Sequence, residues 1–299
     1  MRLLSVLLIV IVNYNVENLF HPTHDSVAGE PKEDLEWTTD GERHWSYTRY
    51  YRKVENIARV LTNIGEWEGV DVVGLQEVEN AKCLKRLCYT LRKNEYGFVH
   101  YESPDKRGID VALVYKKARI DTLGTRAIRV SGLEARGLED LVTRDILYVC
   151  AQVDKRDTIH FFVCHLPSQR GGTAESEWKR KAAKEVLQRA VDSVLAATPQ
   201  AKIIVMGDMN SAPKEDLKGL TNRMLELKGG THKYQGRWTC LDQFYTSSSV
   251  SGDVTIYDAE WIQETDEKYL GLKPKRTYNG YTYQNGFSDH LPIVLKCLK

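Results

Sequence analysis

Along the chain, short runs of apolar, often β-branched residues alternate with longer stretches whose apolar positions return at helical spacing. That alternation argues for an α/β protein. The clearest strand candidates are Leu7 to Val12, Asp71 to Gln76, Asp110 to Tyr115, Asp145 to Cys150, Thr158 to Cys164, Lys202 to Met206, Leu241 to Tyr245 and Leu291 to Lys296. Several are apolar at nearly every position, as expected of strands covered on both faces. Two helices are predicted. In one, Val54, Ile57, Ala58, Leu61 and Ile64 form a stripe behind the basic, aromatic segment Tyr47 to Lys53. In the other, Ala183, Val186, Leu187, Ala190 and Val194 line one face between Glu175 and Ala197. Both are expected to pack on a sheet.

The segments from His21 to His44 and from Gly229 to Gly236 are polar and aperiodic and read as surface loops. Trp37, Trp45, Tyr47 and Tyr50, in and after the first of them, are candidates to stack on bases or rest on a lipid surface. No internal repeat, low-complexity tract or linker divides the chain, so residues 1–299 are expected to form a single domain and a monomer. The apolar run Leu3 to Val12 is too short to span a bilayer and no small-residue cleavage site follows it. It reads as a buried first strand. On that ground a cytoplasmic location is the expectation, with export through a longer precursor left open.

Composition narrows the function classes. Lys and Arg total 42 against 41 Asp and Glu, so no global positive field draws the chain onto a polyanion, and any such partner must be gripped locally. The six cysteines lack any C-x-x-C pair, which argues against a structural zinc cluster of the thiolate kind. Cys150 and Cys164 end apolar runs and read as small buried hydrophobes.

Polar residues suited to metal or acid–base work recur at the ends of the apolar runs. Asn15 and Glu17 follow the first, Glu77 the second, His165 the Phe161 to Cys164 run, and Asp208 with Asn210 the Ile203 to Met206 run; Asp289 and His290 precede Leu291. Strand ends on one sheet edge face a common crevice, so these groups can converge although distant in sequence. Each also has a plainer reading: Asp208 and Asn210 as turn caps, Glu77 as a helix N-terminal acid, His165 as a buried imidazole, Asp289 and His290 as an ion pair. The joint occurrence of all of them favours the chemical reading. Oxygen donors such as Glu77 and Asp289, supported by Asn15 and Glu17, suit a hard cation such as Mg²⁺, with Mn²⁺ as a substitute. Histidine and aspartate suit the proton transfers of phosphoester hydrolysis.

Seven motifs, Asn13-Tyr14-Asn15-Val16-Glu17-Asn18-Leu19-Phe20, Leu75-Gln76-Glu77-Val78-Glu79-Asn80, Arg107-Gly108-Ile109-Asp110-Val111-Ala112-Leu113, Cys164-His165-Leu166-Pro167-Ser168, Gly207-Asp208-Met209-Asn210, Leu241-Asp242-Gln243-Phe244 and Ser288-Asp289-His290-Leu291-Pro292, occur in this order. Together they resemble the endonuclease/exonuclease/phosphatase superfamily of DNase I-like enzymes, from about Asn13 to the C-terminus. The resemblance implies a four-layer α/β sandwich, two packed mixed sheets flanked by helices. It implies Glu77 as the principal Mg²⁺ ligand with Asn15 and Glu17 nearby, Asp208 as the residue that aligns or deprotonates water, and Asn210 as an amide contacting phosphate or metal. It further implies His290 as the group that polarises the phosphoryl oxygen, oriented by Asp242, with Asp289 beside it and His165 as the second histidine of the DNase I and phosphatase branches. Asp110 is expected to orient His165. The Arg107 and Pro167 to Gly172 motifs, with the insertion after Phe20, look like a bacterial branch whose family name fixes no substrate.

Arg107, Arg144 and Arg170 are the candidate phosphate-binding cations; Arg180 reads as part of a solvated helix face. The expected function is thus a Mg²⁺-dependent phosphoesterase, foremost a nuclease. The alternative is a phosphatase or phosphodiesterase on an inositol phosphate, lipid headgroup or other small phosphoester. A catalytically dead scaffold would have lost at least one of Asn15, Glu77, His165, Asp208, Asn210, Asp242, Asp289 and His290, and all are present.

Overall fold

The computed structural model describes residues 8–297 apart from 25, 28–29, 32–33, 131–140 and 170–171. Its principal elements are, in chain order, β1 (Ile9–Leu19), α1 (Tyr47–Gly65), β2 (Val72–Val78), α2 (Ala81–Arg92), β3 (Tyr96–His100), β4 (Asp110–Lys116), β5 (Ile120–Ile128), β6 (Ile146–Val153), β7 (Asp157–His165), α3 (Thr173–Ala197), β8 (Lys202–Asp208), β9 (Thr221–Asn222), β10 (Asp242–Thr246), β11 (Gly252–Ile256) and β12 (Ile293–Cys297). They build two six-stranded sheets, ordered β11-β12-β1-β2-β4-β3 and β9-β10-β8-β7-β6-β5. Each sheet has one parallel pair at its centre, β1 with β2 and β7 with β8, flanked by antiparallel strands. A parallel pair needs a crossover, and α1 and α3 supply the two.

The sheets pack face to face through Ile11, Val72 and Leu113 on one side and Phe161, Val163, Met206 and Phe244 on the other. Gly74 permits their close approach, because a Cβ there would lie 2.9 Å from the Met206 sulfur. The outer face of the first sheet holds Val54, Ile57 and Leu61 of α1 with Leu84 and Leu87 of α2; that of the second holds Ala183, Val186 and Leu187 of α3. Each buried Val, Leu or Ile side chain among them contributes roughly 1.5–3 kcal/mol. The result is the four-layer α/β sandwich that the double-sided apolar strands demand.

All eight expected strands occur, and β1 continues past Val12 to Leu19, so the Asn15 motif lies inside it. Ile9–Val12 of the apolar N-terminal run is strand as expected, with Ile9, Ile11 and Val12 buried and Val10 half-buried. Residues 3–7 of that run lie outside the described residues. No helix among the described residues is long and apolar enough to cross a membrane. α2 was not predicted, although Asn80 caps it by accepting from the Lys82 and Cys83 amides and Cys83, Leu84, Leu87 and Cys88 are buried. The edge strands β3 and β5 are partly exposed, which blurs their periodicity.

Three expectations need correction. Trp37, Trp45 and Tyr50 are buried rather than available for stacking on a ligand; Trp37 packs against Phe20 and Trp45, and the Trp45 indole donates to the Phe20 carbonyl. Only Tyr47 of that group is exposed. Arg180 is not on a solvated face: it is buried and donates to Ser176 Oγ at 2.8 Å and the Pro167 carbonyl at 3.3 Å. The Gly229 to Gly236 segment is not only a loop, because His232–Tyr234 pairs with Arg237–Thr239 in a hairpin bridged to His290.

Candidate active site

The two parallel pairs end at the same place. In the first sheet Asn15 is in register with Gln76, which puts Glu77 beside it. In the second, Asp208 is in register with His165 on one side and Asp242 on the other. In-register neighbours present side chains on the same face, so His165, Asp208 and Asp242 form a row. Gly207 allows β8 to approach β7 this closely: a Cβ there would meet the Cys164 carbonyl oxygen at 2.1 Å.

β1, where its pairing with β2 becomes irregular after Asn15, and β8, where it ends at Asp208, carry the same local turn. Asn15 Oδ1 accepts from the Glu17 amide at 3.1 Å, and Asp208 Oδ1 from the Asn210 amide at 2.8 Å. Short polar side chains make such turns. The plain capping role of Asp208 is therefore real, but it uses one oxygen only. Its other oxygen, Oδ2, accepts from Asn15 Nδ2 at 3.1 Å across the two sheets and lies 3.7 Å from His165 Nε2 and 3.9 Å from His290 Nε2. Glu17, Asn18, Glu77 and Asn210 all have positive φ, between 49° and 66°, strain that clusters where strands must turn abruptly to present side chains.

His290 arrives on the segment before β12. Ser288 holds it there, donating through Oγ to the Asn15 carbonyl at 2.7 Å and accepting from the His290 amide at 3.0 Å. His290 Nδ1 lies 2.7 Å from Asp242 Oδ2, which is fully buried. Burial alone would push the His290 pKa down, but the carboxylates of Asp242, Asp208 and Asp289 more than reverse this and hold it well above the usual histidine value. His165 is the opposite case: burial, aided by Arg144, Arg107 and His290, holds it well below that value and hence neutral. Burial pushes Asp208 up to about 6, with the Asp242 charge adding and His290 opposing.

Glu77, Arg107, His165, Asp208, Asn210, Asp289 and His290 line one cleft of about 1160 Å³. Glu77 Oε2 accepts from the Asn18 amide at 2.9 Å and Oε1 lies 3.9 Å from His165 Nε2. Asp289 Oδ2 accepts from Arg276 at 2.9 Å; burial would raise its pKa, yet His290 and Arg276 keep it below the usual carboxylate range. Asn210 spends its side-chain amide on the Leu166 carbonyl at 2.9 Å. Glu17 sits behind the cleft, where its carboxylate accepts from the Thr277 amide at 2.6 Å and Arg276 Nε at 3.3 Å and lies 3.9 Å from buried Lys53.

Two assignments do not match the geometry. Asp110 does not orient His165: its carboxylate accepts from the Ser103 amide at 3.1 Å and faces His100 at 3.4 Å. Arg144 does not reach into the cleft, because its guanidinium is engaged by Asp105 at 2.7 Å and by the carbonyls of His165 and Leu166 at 3.0 and 3.2 Å. It carries His165 from behind. Arg170 lies outside the described residues.

Among the cleft residues that escaped the sequence reading are His232 and Arg276. His232, on the hairpin, packs against His290 with the rings tilted and their centroids 4.9 Å apart, and burial and the neighbouring His290 push its pKa to about 4. Arg276 bridges Glu17 and Asp289. Neither ends an apolar run, so strand-end reasoning could not single them out. Among the groups facing the cleft, the Glu77 and Asp289 carboxylates suit a hard cation, with Arg276 balancing the acidic charge, while His232, Asp289 and His290 bring two imidazoles and a carboxylate within 4.8 Å of one another.

Comparison with known proteins agrees with this fold. Among solved structures, truncated TDP2 from Caenorhabditis elegans is similar over 98% of this chain and 98% of its own, with TM-score 0.62 and 16% identity. A Bacteroides thetaiotaomicron mannosyl-6-phosphatase is similar over 97% of this chain and 100% of its own, with TM-score 0.62 and 15% identity. The human Nocturnin catalytic domain, solved with bound sulfate, has TM-score 0.58 and 16% identity over 97% of this chain and 94% of its own. No curated protein sequence matches the chain. The family model described as Endonuclease/Exonuclease/phosphatase family matches residues 10–299, and the chain, a DNase I-like α/β sandwich, belongs to that family of phosphoester hydrolases.

Proposed function

We propose that the protein is a divalent-metal-dependent phosphodiesterase acting on nucleic acid. The observation that carries the hydrolytic part is the surroundings of Asp208 Oδ2: neutral His165, charged His290 and Asn15 all lie within 3.9 Å of it. Ionised Asp208 aligns water and takes its proton as the water oxygen attacks phosphorus and the P–O ester bond opposite it breaks. The His290 imidazolium, fixed by Asp242, and neutral His165 donate to the phosphoryl oxygens, where negative charge grows. Glu77 and Asp289 would hold Mg²⁺ or Mn²⁺, which when bound polarises the phosphate and neutralises its charge. Arg107, at the cleft wall, adds a cation for substrate phosphate.

The nucleic-acid part rests on the mouth of the site. The catalytic cleft runs into a second of about 420 Å³ that shares Arg276, His232 and Asp289 with it. Between them stand exposed Tyr234 and Tyr269, with Arg237 and Lys268 alongside. Aromatic faces with interspersed cations suit unpaired bases and their backbone. A small phosphoester is the second reading, favoured by the near-neutral net charge of +1. A panel of single-stranded and duplex DNA, RNA, inositol phosphates and sugar phosphates, assayed with Mg²⁺, separates the two. Turnover confined to the small phosphoesters rejects the nucleic-acid assignment, and no metal-dependent turnover on any of them rejects the enzyme assignment.

A further inference from the structure

The hairpin between β3 and β4 holds a second group of metal-type donors away from the catalytic row. His100 ends β3 and Asp110 begins β4, so they face each other at the base of the loop that joins the strands. His100 Nε2 lies 3.4 Å from Asp110 Oδ2, and the two side chains are 4% and 3% exposed. Neither atom has a hydrogen-bond partner. Glu102 completes the group, one donor atom from each of the three residues lying within 4.8 Å of the others. Burying an imidazole nitrogen and a carboxylate oxygen without hydrogen bonds is unfavourable, and an ordinary ion pair would satisfy both with one. A tetrahedral zinc ion at bond lengths of about 2.0–2.1 Å separates adjacent ligand atoms by about 3.3–3.4 Å.

We propose that His100, Glu102 and Asp110 form a binding site for a first-row transition-metal dication, best matched by Zn²⁺, separate from the hard-cation site of the catalytic cleft. One imidazole and two carboxylates form a mixed nitrogen and oxygen set, which suits zinc and its neighbours, whereas Mg²⁺ prefers oxygen ligands and retained water. Glu102 is exposed and gives the ion its path in. The ion closes the base of loop 101–109. Asp110 Oδ1 accepts from the Ser103 amide, Ser103 Oγ from the Asp105 amide, and Asp105 holds both Arg144 and the Arg107 amide. The site therefore staples the loop that carries Arg107 to the cleft wall and anchors Arg144 behind His165.

The test loads the full chain with Zn²⁺ in excess Mg²⁺, dialyses away free zinc with Mg²⁺ maintained, and measures bound zinc by mass spectrometry alongside melting temperature. One equivalent of zinc per chain and a zinc-dependent rise in melting temperature are expected, both retained by Glu77→Gln. Glu102→Ala, at an exposed position, and His100→Asn should weaken zinc binding by at least about tenfold, the smallest loss seen for removing even an outer-sphere partner of a metal ligand. Failure of the wild type to retain zinc overturns the proposal. So does zinc that persists in Glu102→Ala and His100→Asn, or that disappears in Glu77→Gln.

Discussion

His290 Nδ1 lies 2.7 Å from Asp242 Oδ2, and this one contact joins the two sheets, since Asp242 begins β10 of the second sheet while His290 leads into β12 of the first. Asn13 on β1 donates to the other oxygen of Asp242 at 3.4 Å. The carboxylate thus fixes the imidazole ring and supplies the largest of the charges that keep it protonated. Asp242→Asn keeps the shape and removes the charge. We expect the alkaline limb of the pH–rate profile to move toward neutrality and the maximal rate to fall about 10²-fold or more. An unchanged alkaline limb on bis-p-nitrophenyl phosphate would show that His290 is not the group titrating there.

Asp208 must be ionised to take a proton, and burial raises its pKa to about 6. The rate should therefore fall as pH drops through about 6. Because the folded pKa is raised, the stability linked to this carboxyl is fully present below 3.8 and lost as pH rises toward and through about 6; the protein carries its ionised, active form at a cost. Asp208→Asn should cut turnover by at least about 10²-fold and flatten the pH dependence of stability over that window. Denaturant melts across the window, beside single-turnover rates, measure both effects.

Arg107 and Arg144 make an informative pair, because both were candidates for substrate phosphate and only Arg107 lines the cleft. Arg107→Ala should raise KM with little change in melting temperature. Arg144→Ala removes a buried guanidinium and leaves partly buried Asp105 and two carbonyls without their donor, which costs about 3–5 kcal/mol. A fall in kcat should accompany that loss of stability, since His165 loses its support. Equal melting temperatures for the two variants would contradict the placement of Arg144.

Chelation followed by dialysis should abolish turnover, and Mg²⁺ or Mn²⁺ should restore it. Glu77→Gln removes the carboxylate charge at the cleft wall. Its restoration midpoint should shift to at least about tenfold higher metal, given that even outer-sphere partners of a ligand are worth that much. Full activity in chelator would refute a metal-dependent mechanism.

The sequence by itself determined the sandwich and most of the row that ends it. Double-sided apolar strands such as Phe161 to Cys164 and Ile203 to Met206 can be satisfied only between two layers, and polar residues placed right after them are carried to a sheet edge. Asn15, Glu77, His165, Asp208, Asp289 and His290 were legible for that reason. What only the tertiary structure decided is which neighbour each polar group spends its bonds on. Arg144 looks in sequence like any basic residue before a strand, yet burial turns it inward to the His165 and Leu166 carbonyls. Asp110 begins a strand as expected, but register pairs His100 with Ala112, two residues on, so Asp110 meets His100 rather than His165. His232 and Arg276 reach the cleft on short hairpins and loops whose course depends on contacts hundreds of residues away in sequence, such as Arg276 with Glu17. Local periodicity encodes what must be buried; hydrogen-bond partners across the chain are chosen only once the layers are in place.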